Sequence, residues 1–153
     1  QDRIRGELAR LPMGRTRADL TSVLDEIARK ASLSSVLLSD GDGLPLASST
    51  HASDVDLRSG ISSLLLTLSD RLVQRGAPQP LAVVLHDASN ETVLTRILRV
   101  DDDVLLLTAV SKGQFLRPDA LDPALETIKL MMRDWTALTR QATHAPAPLQ
   151  ATA

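Results

Sequence analysis

Apolar positions along the chain fall into three helical and five strand-like patterns. Leu20, Val23, Leu24, Ile27, Ala28 and Ala31 keep the i, i+3, i+4, i+7 spacing of one helix face, with Asp25, Glu26, Arg29 and Lys30 mostly turned away, and predict a helix over 18–32. Asp19 places negative charge at its start, where the helix dipole favours it. Two short apolar runs, Ser35–Ser39 and Leu44–Ser49, flank Asp40-Gly41-Asp42-Gly43 and read as a hairpin, because Gly and Asp tolerate the positive φ of tight turns. Pro45 removes one ladder donor, so the second strand is expected at a sheet edge.

A long helix is expected over 54–75, opened by Asp54 and Asp56 and ended by Gly76 and Pro78. Leu57, Ile61, Leu64, Leu68 and Leu72 make one stripe. Val55, Ser62, Leu66, Ser69 and Val73 make a second, roughly 120° away at about 100° per residue. One stripe suffices for a helix lying on one side of a small domain. Two readings are open: the helix is sunk deeper into its own core, or it packs on its own sheet with one face and on another subunit with the other.

Leu81–His86, Thr92–Val100 and Val104–Val110 follow as strands, the last apolar enough to be central. Their connectors, Asp87-Ala88-Ser89-Asn90 and Asp101-Asp102-Asp103, are too short for parallel crossovers and imply antiparallel neighbours. A last helix starts at Pro123 with Asp122 as its cap and carries Leu125, Ile128, Met131, Met132, Trp135 and Leu138 on one face. The order helix, two strands, helix, three strands, helix is an α+β arrangement of one antiparallel sheet covered by helices. We divide the chain into a basic arm at 1–17, where five Arg oppose Asp2 and Glu7, a domain at 18–140 and a flexible Ala-, Thr- and Pro-rich tail at 141–153.

Composition narrows the function. With 43% hydrophobic and 24% charged residues among 153, the chain can bury a core. Its aromatics are Phe115 and Trp135 alone, too few for base-stacking platforms or aromatic-lined cofactor pockets, and Trp135 is expected in the core. The formal net charge of −2 gives no basic field for nucleic acid. The apolar runs are too short to span a bilayer, and a cytoplasmic protein without membrane insertion is expected. Cysteine is absent, which removes disulfides, thiolate nucleophiles and Cys-based metal sites.

No chemistry-bearing motif emerges. A calcium loop counted from Asp40 would put Leu44, Pro45 and His51 where an oxygen ligand, Gly and Glu are needed. His51, His86 and His144 lack metal-ligand spacing, and the Asp101–Asp103 run reads as a solvated turn. Neither a GxSxG nor a phosphate-binding glycine loop is present, so no enzyme, metal or cofactor is expected.

The first-helix residues Leu20-Thr21-Ser22-Val23-Leu24 and the hairpin Val36-Leu37-Leu38-Ser39-Asp40-Gly41-Asp42-Gly43-Leu44-Pro45-Leu46-Ala47 resemble the Roadblock/LC7 domain family, which includes the dynein light chain roadblock and bacterial regulators of small Ras-like GTPases. The resemblance spans roughly residues 18–138, with the hairpin as its most specific part. It implies a five-stranded antiparallel sheet of order 2-1-5-4-3, with the long helix on one face and the terminal helices on the other. It further implies a homodimer made by antiparallel long helices and edge-to-edge third strands. On this basis Ser62, Leu66, Ser69 and Val73 are expected against the twin helix, and Leu81, Val83 and Leu85 across the dimer. The implied function is a non-catalytic module that binds and regulates a small Ras-like GTPase. Arg96 and Arg99 on the fourth strand are candidates for the partner surface, their plainer reading being a solvated strand face. The competing reading is a small-ligand sensor of PAS-like architecture, which needs a cavity with convergent polar groups between sheet and helix.

Overall fold

The computed structural model describes residues 16–144. Helix α1 (Thr16–Lys30) leads into strands β1 (Ser35–Asp40) and β2 (Pro45–Ser48), helix α2 (Val55–Gln74), and strands β3 (Ala82–His86), β4 (Glu91–Val100) and β5 (Asp103–Lys112). A 3-10 turn (Pro118–Leu121) then opens helix α3 (Asp122–His144). The strands form one antiparallel sheet of order β2-β1-β5-β4-β3, the order the resemblance implies. Pro45 lies on an edge strand, where its missing donor costs the ladder least.

The turns are built by acidic side chains folding back on their own backbone. Asp40 Oδ1 accepts the N–H groups of Asp42 and Leu44, each at 2.9 Å, and Gly43 supplies the positive φ. The Asp40 carboxylate thus holds its own turn. Asp87 Oδ1 does the same between β3 and β4, accepting from Ser89 N and Oγ and from Glu91 N. The Ser89 hydroxyl above all, with these backbone donors, holds the Asp87 carboxyl below the usual carboxylate range. At the end of α2 the N–H of Ala77 reaches Leu72 O and that of Gly76 reaches Val73 O, the Schellman closure that the left-handed Gly76 permits.

Alternation along the strands gives the sheet two unlike faces. Beneath α1 and α3 the core is continuously apolar: Val36, Leu38, Leu94, Leu98, Leu105 and Leu107 meet Leu20, Leu24, Leu125, Ile128 and Met132. The opposite face carries Leu37, Leu106 and Val110 together with Thr95 and Thr108, and α2 lies on it over β2, β1 and β5.

Three expectations shift. Helix α1 starts two residues early, at Thr16, and the rest of the basic arm lies outside the described residues. A 3-10 turn, with Pro118 near its start, precedes the last helix, which begins at Asp122 rather than being capped by it. That helix continues to His144, so residues 141–144 of the expected tail are helical; the remainder, like the side chain of Trp135, lies outside the described part.

Candidate interaction surface

Helix α2 presents the two stripes read from its sequence, but the other way round. The inward face is the serine-bearing one: Ser59, Ser62, Leu66 and Ser69 are its buried residues. Ser62 Oγ lies 2.7 Å from Thr108 Oγ1 and 3.3 Å from Thr95 Oγ1, and the two threonine hydroxyls are themselves 3.3 Å apart. Ser69 Oγ donates to Leu65 O within the helix. Leu66 closes over Gly41, where an added Cβ would come within 3.3 Å of its Cδ2.

The expectation that Ser62, Leu66 and Ser69 face a second copy is therefore corrected: they are covered by their own sheet. The physical reason is hydroxyl pairing. Thr95 and Thr108 sit on central strands and are fully buried, and Ser62 supplies the partner they need. Small side chains also let the helix approach the β1–β2 turn, where Ser63 Oγ donates to Gly41 O at 2.9 Å. Near the start of α2, Arg58 Nη2 donates to Glu91 Oε1 at 2.9 Å, an ion pair with both side chains mostly buried.

The leucine stripe faces out. Leu57 is 64% exposed, Leu64 69% and Leu68 51%, with Ile61 and Leu72 exposed beside them and Val73 at the end. Fully burying one such side chain is worth about 1.5–3 kcal/mol, so five left in water are a large unused driving force. Next to the helix, on the same side of the sheet, β3 and β4 are incompletely covered. Leu81 is 68% exposed, Leu85 is exposed, and Val83, Val93 and Ile97 are half-buried. These lie on the same side of the sheet as the helix stripe, an apolar area of the kind that marks an interaction site.

The outer edge of β3 adds to it. From Ala82 to Leu85 it has neither Pro nor charge, the devices that usually protect a free edge. The opposite edge, β2, is four residues long and carries Pro45. Of the seven residues expected at a subunit contact, Val73, Leu81, Val83 and Leu85 lie within or beside this area. The five that dominate it, Leu57, Ile61, Leu64, Leu68 and Leu72, are not among those seven.

Arg96 and Arg99 separate. Arg96 points to the α1/α3 face, is 14% exposed, and donates through Nη1 to Asp122 Oδ1 at 2.6 Å and to Pro118 O. It therefore pins the start of α3 and is not free to meet a partner. Arg99 is exposed on the α2 side of β4, its guanidinium against the Gln79 side-chain amide. A shallow cleft of about 470 Å³ lies apart from the apolar area, lined by Ser89, Asn90, Glu91, Lys112 and Gly113. Between α2 and the central strands, where a sensor would hold its ligand, the hydroxyls of Ser62, Thr95 and Thr108 touch one another. Among the described residues no His, Asp and Glu side chains gather as a metal site, and no helix is long and apolar enough to cross a membrane.

No protein-family model matches the chain, and no curated protein matches it. Solved structures do. Myxococcus xanthus MglB superposes with a TM-score of 0.55 at 13% identity, covering 80% of this chain and 96% of that one. An MglB with a tetrameric arrangement gives 0.54 at 20% identity, over 87% and 94%. A Roadblock/LC7 domain from Streptomyces avermitilis gives 0.52 at 13%, over 80% and 97%.

Proposed function

From the Roadblock/LC7 fold that the chain shares with these structures, we propose that it is a homodimeric, non-catalytic interaction module that binds and regulates a small Ras-like GTPase in the cytoplasm. The observation that carries the homodimer is the outward leucine stripe of α2 beside the unprotected edge of β3. The stripe is self-complementary. Two copies of α2 running antiparallel about their middle set Leu57 against Leu72 and Ile61 against Leu68, with Leu64 and Leu65 at the centre. The same reversal brings Asp54 before one helix towards Arg75 at the end of the other, opposite charges at both rims. A two-fold contact requires a patch to match itself in this way. One of the similar structures, an MglB, is itself described in a tetrameric arrangement, in keeping with a fold used for self-assembly.

The GTPase assignment rests on the fold and on the hairpin resemblance. It is supported by the apolar assembly surface that the described residues provide. Regulation without catalysis requires only that the partner's nucleotide states bind the dimer differently. The test is capture on the immobilised full chain from lysate of the source organism, loaded with GDP or with a non-hydrolysable GTP analogue. Enrichment of a Ras-like GTPase in one nucleotide state is the expected result. Failure to retain any GTPase in either state, by a chain shown to be folded and dimeric, overturns the assignment.

A further inference from the structure

We infer that α2 is held on its sheet by the second copy, so that ordering of this helix and dimer formation are one event. The inference rests on the homodimer proposed above and adds a consequence for regulation: α2 is the element whose order reports, and depends on, the assembly state.

The argument comes from how differently the two sheet faces are covered. The contiguous apolar core beneath α1 and α3 contains no residue of α2. From α2 the sheet receives one buried apolar side chain, Leu66, and three buried serines, Ser59, Ser62 and Ser69. Hydroxyl pairs such as Ser62 with Thr108 replace bonds to water and add little net attraction, whereas apolar burial is what holds an amphipathic helix down. Two buried hydroxyls on this side, Ser59 Oγ and Ser39 Oγ, have no partner at all. The N-terminus of α2 has no side-chain cap either, Asp54 being left-handed with its carboxylate unused there. Leu57, Leu64, Leu68 and Leu72 point the other way.

A helix of this length gains most of its stability from tertiary packing of its apolar face. In one protomer that face meets water; in the dimer it meets its twin. In a separated protomer α2 is therefore the first element to open, uncovering Leu37, Leu106 and Val110, while the core beneath α1 and α3 stays closed. A ligand or partner that loosens the dimer would also release α2.

Hydrogen exchange of the full chain followed by mass spectrometry tests this in three samples. The first is the wild type, concentrated and then diluted through its dissociation range. The second is Leu64→Lys, which keeps a good helix former but puts a charge at the centre of the stripe. The third carries Leu64→Lys with Ser62→Ala, Thr95→Val and Thr108→Val, an apolar version of the seam. Dilution and Leu64→Lys are expected to raise α2 exchange by about 100-fold or more while peptides from β1, β5 and α1 change little. The seam substitutions are expected to restore part of the α2 protection without restoring the dimer. A monomeric Leu64→Lys with α2 as protected as in the wild type overturns the inference and leaves the homodimer standing. So does dilution that releases all elements together. A Leu64→Lys chain that stays dimeric overturns the proposed interface, and the inference with it.

Discussion

Ser62 of α2 and Thr108 of β5, 46 residues apart in sequence, share a hydrogen bond of 2.7 Å inside the sheet–helix layer, with Thr95 of β4 completing the group. This contact lies on the side of α2 that faces in. Replacing Ser62 by Ala leaves Thr95 and Thr108 bonded to each other and is expected to cost about 1 kcal/mol. Ser62→Leu inserts a large side chain into a filled layer and is expected to cost about 1–3 kcal/mol. Urea denaturation at one fixed protein concentration measures both; a stabilised Ser62→Leu contradicts the inward assignment.

Gly43 holds the β1–β2 turn against α2. Its φ is +91°, and a Cβ there would meet Ser63 Cβ at 3.2 Å and Ser59 O at 3.3 Å. Gly43→Ala is expected to destabilise the protein by about 1–2 kcal/mol from the left-handed backbone alone, with crowding added. The shift in denaturation midpoint checks it, and an unchanged midpoint contradicts the close approach.

Arg96 ties β4 to the start of α3 through Asp122 and Pro118. Arg96→Met keeps the packing stem and removes the donors, and is expected to cost about 1–2 kcal/mol. Hydrogen exchange should rise over residues 118–125 and leave partner capture intact. Loss of capture with unchanged exchange would return Arg96 to the partner surface.

Asp25 of α1 accepts from Thr50 N at 2.7 Å and Thr50 Oγ1 at 2.6 Å, joining α1 to the segment between β2 and α2. The Thr50 hydroxyl, then its N–H, holds the Asp25 carboxyl below the ordinary carboxylate range. Because the folded-state value is the lower one, this stabilisation is fully present above the unfolded-state pKa and is lost as pH falls through the folded-state value. Asp25→Asn is expected to weaken the fold slightly at neutral pH and to flatten its loss in acid. An acid transition identical to that of the wild type contradicts it.

Much of the fold was legible because it is written locally. The period of Leu20 to Ala31 marks α1, Asp40 to Gly43 marks the hairpin, and Pro45 marks the edge strand; each depends on neighbours in sequence. The orientation of α2 was not legible. Ranking its stripes by hydrophobicity turns the leucines inward, whereas the deciding partners, Thr95 and Thr108, lie 33 and 46 residues from Ser62 in sequence. Arg96 was misread for the same reason, since its partners lie 22 and 26 residues further on. The width of the apolar arc was informative throughout. It showed that α2 has two faces to cover, and the structure shows which one its own chain leaves open.

The most direct test of the account is the mass of the full chain in solution, with Leu64→Lys compared against Ser69→Ala. Light scattering at micromolar concentration should return twice the chain mass of 16.5 kDa for the wild type and for Ser69→Ala, whose side chain is buried in its own protomer. It should return a single chain mass for Leu64→Lys, because a lysine there buries an unpaired charge at the centre of the contact. A monomeric wild type, or a Leu64→Lys chain that remains dimeric, contradicts the claim that the outward leucine stripe joins two copies.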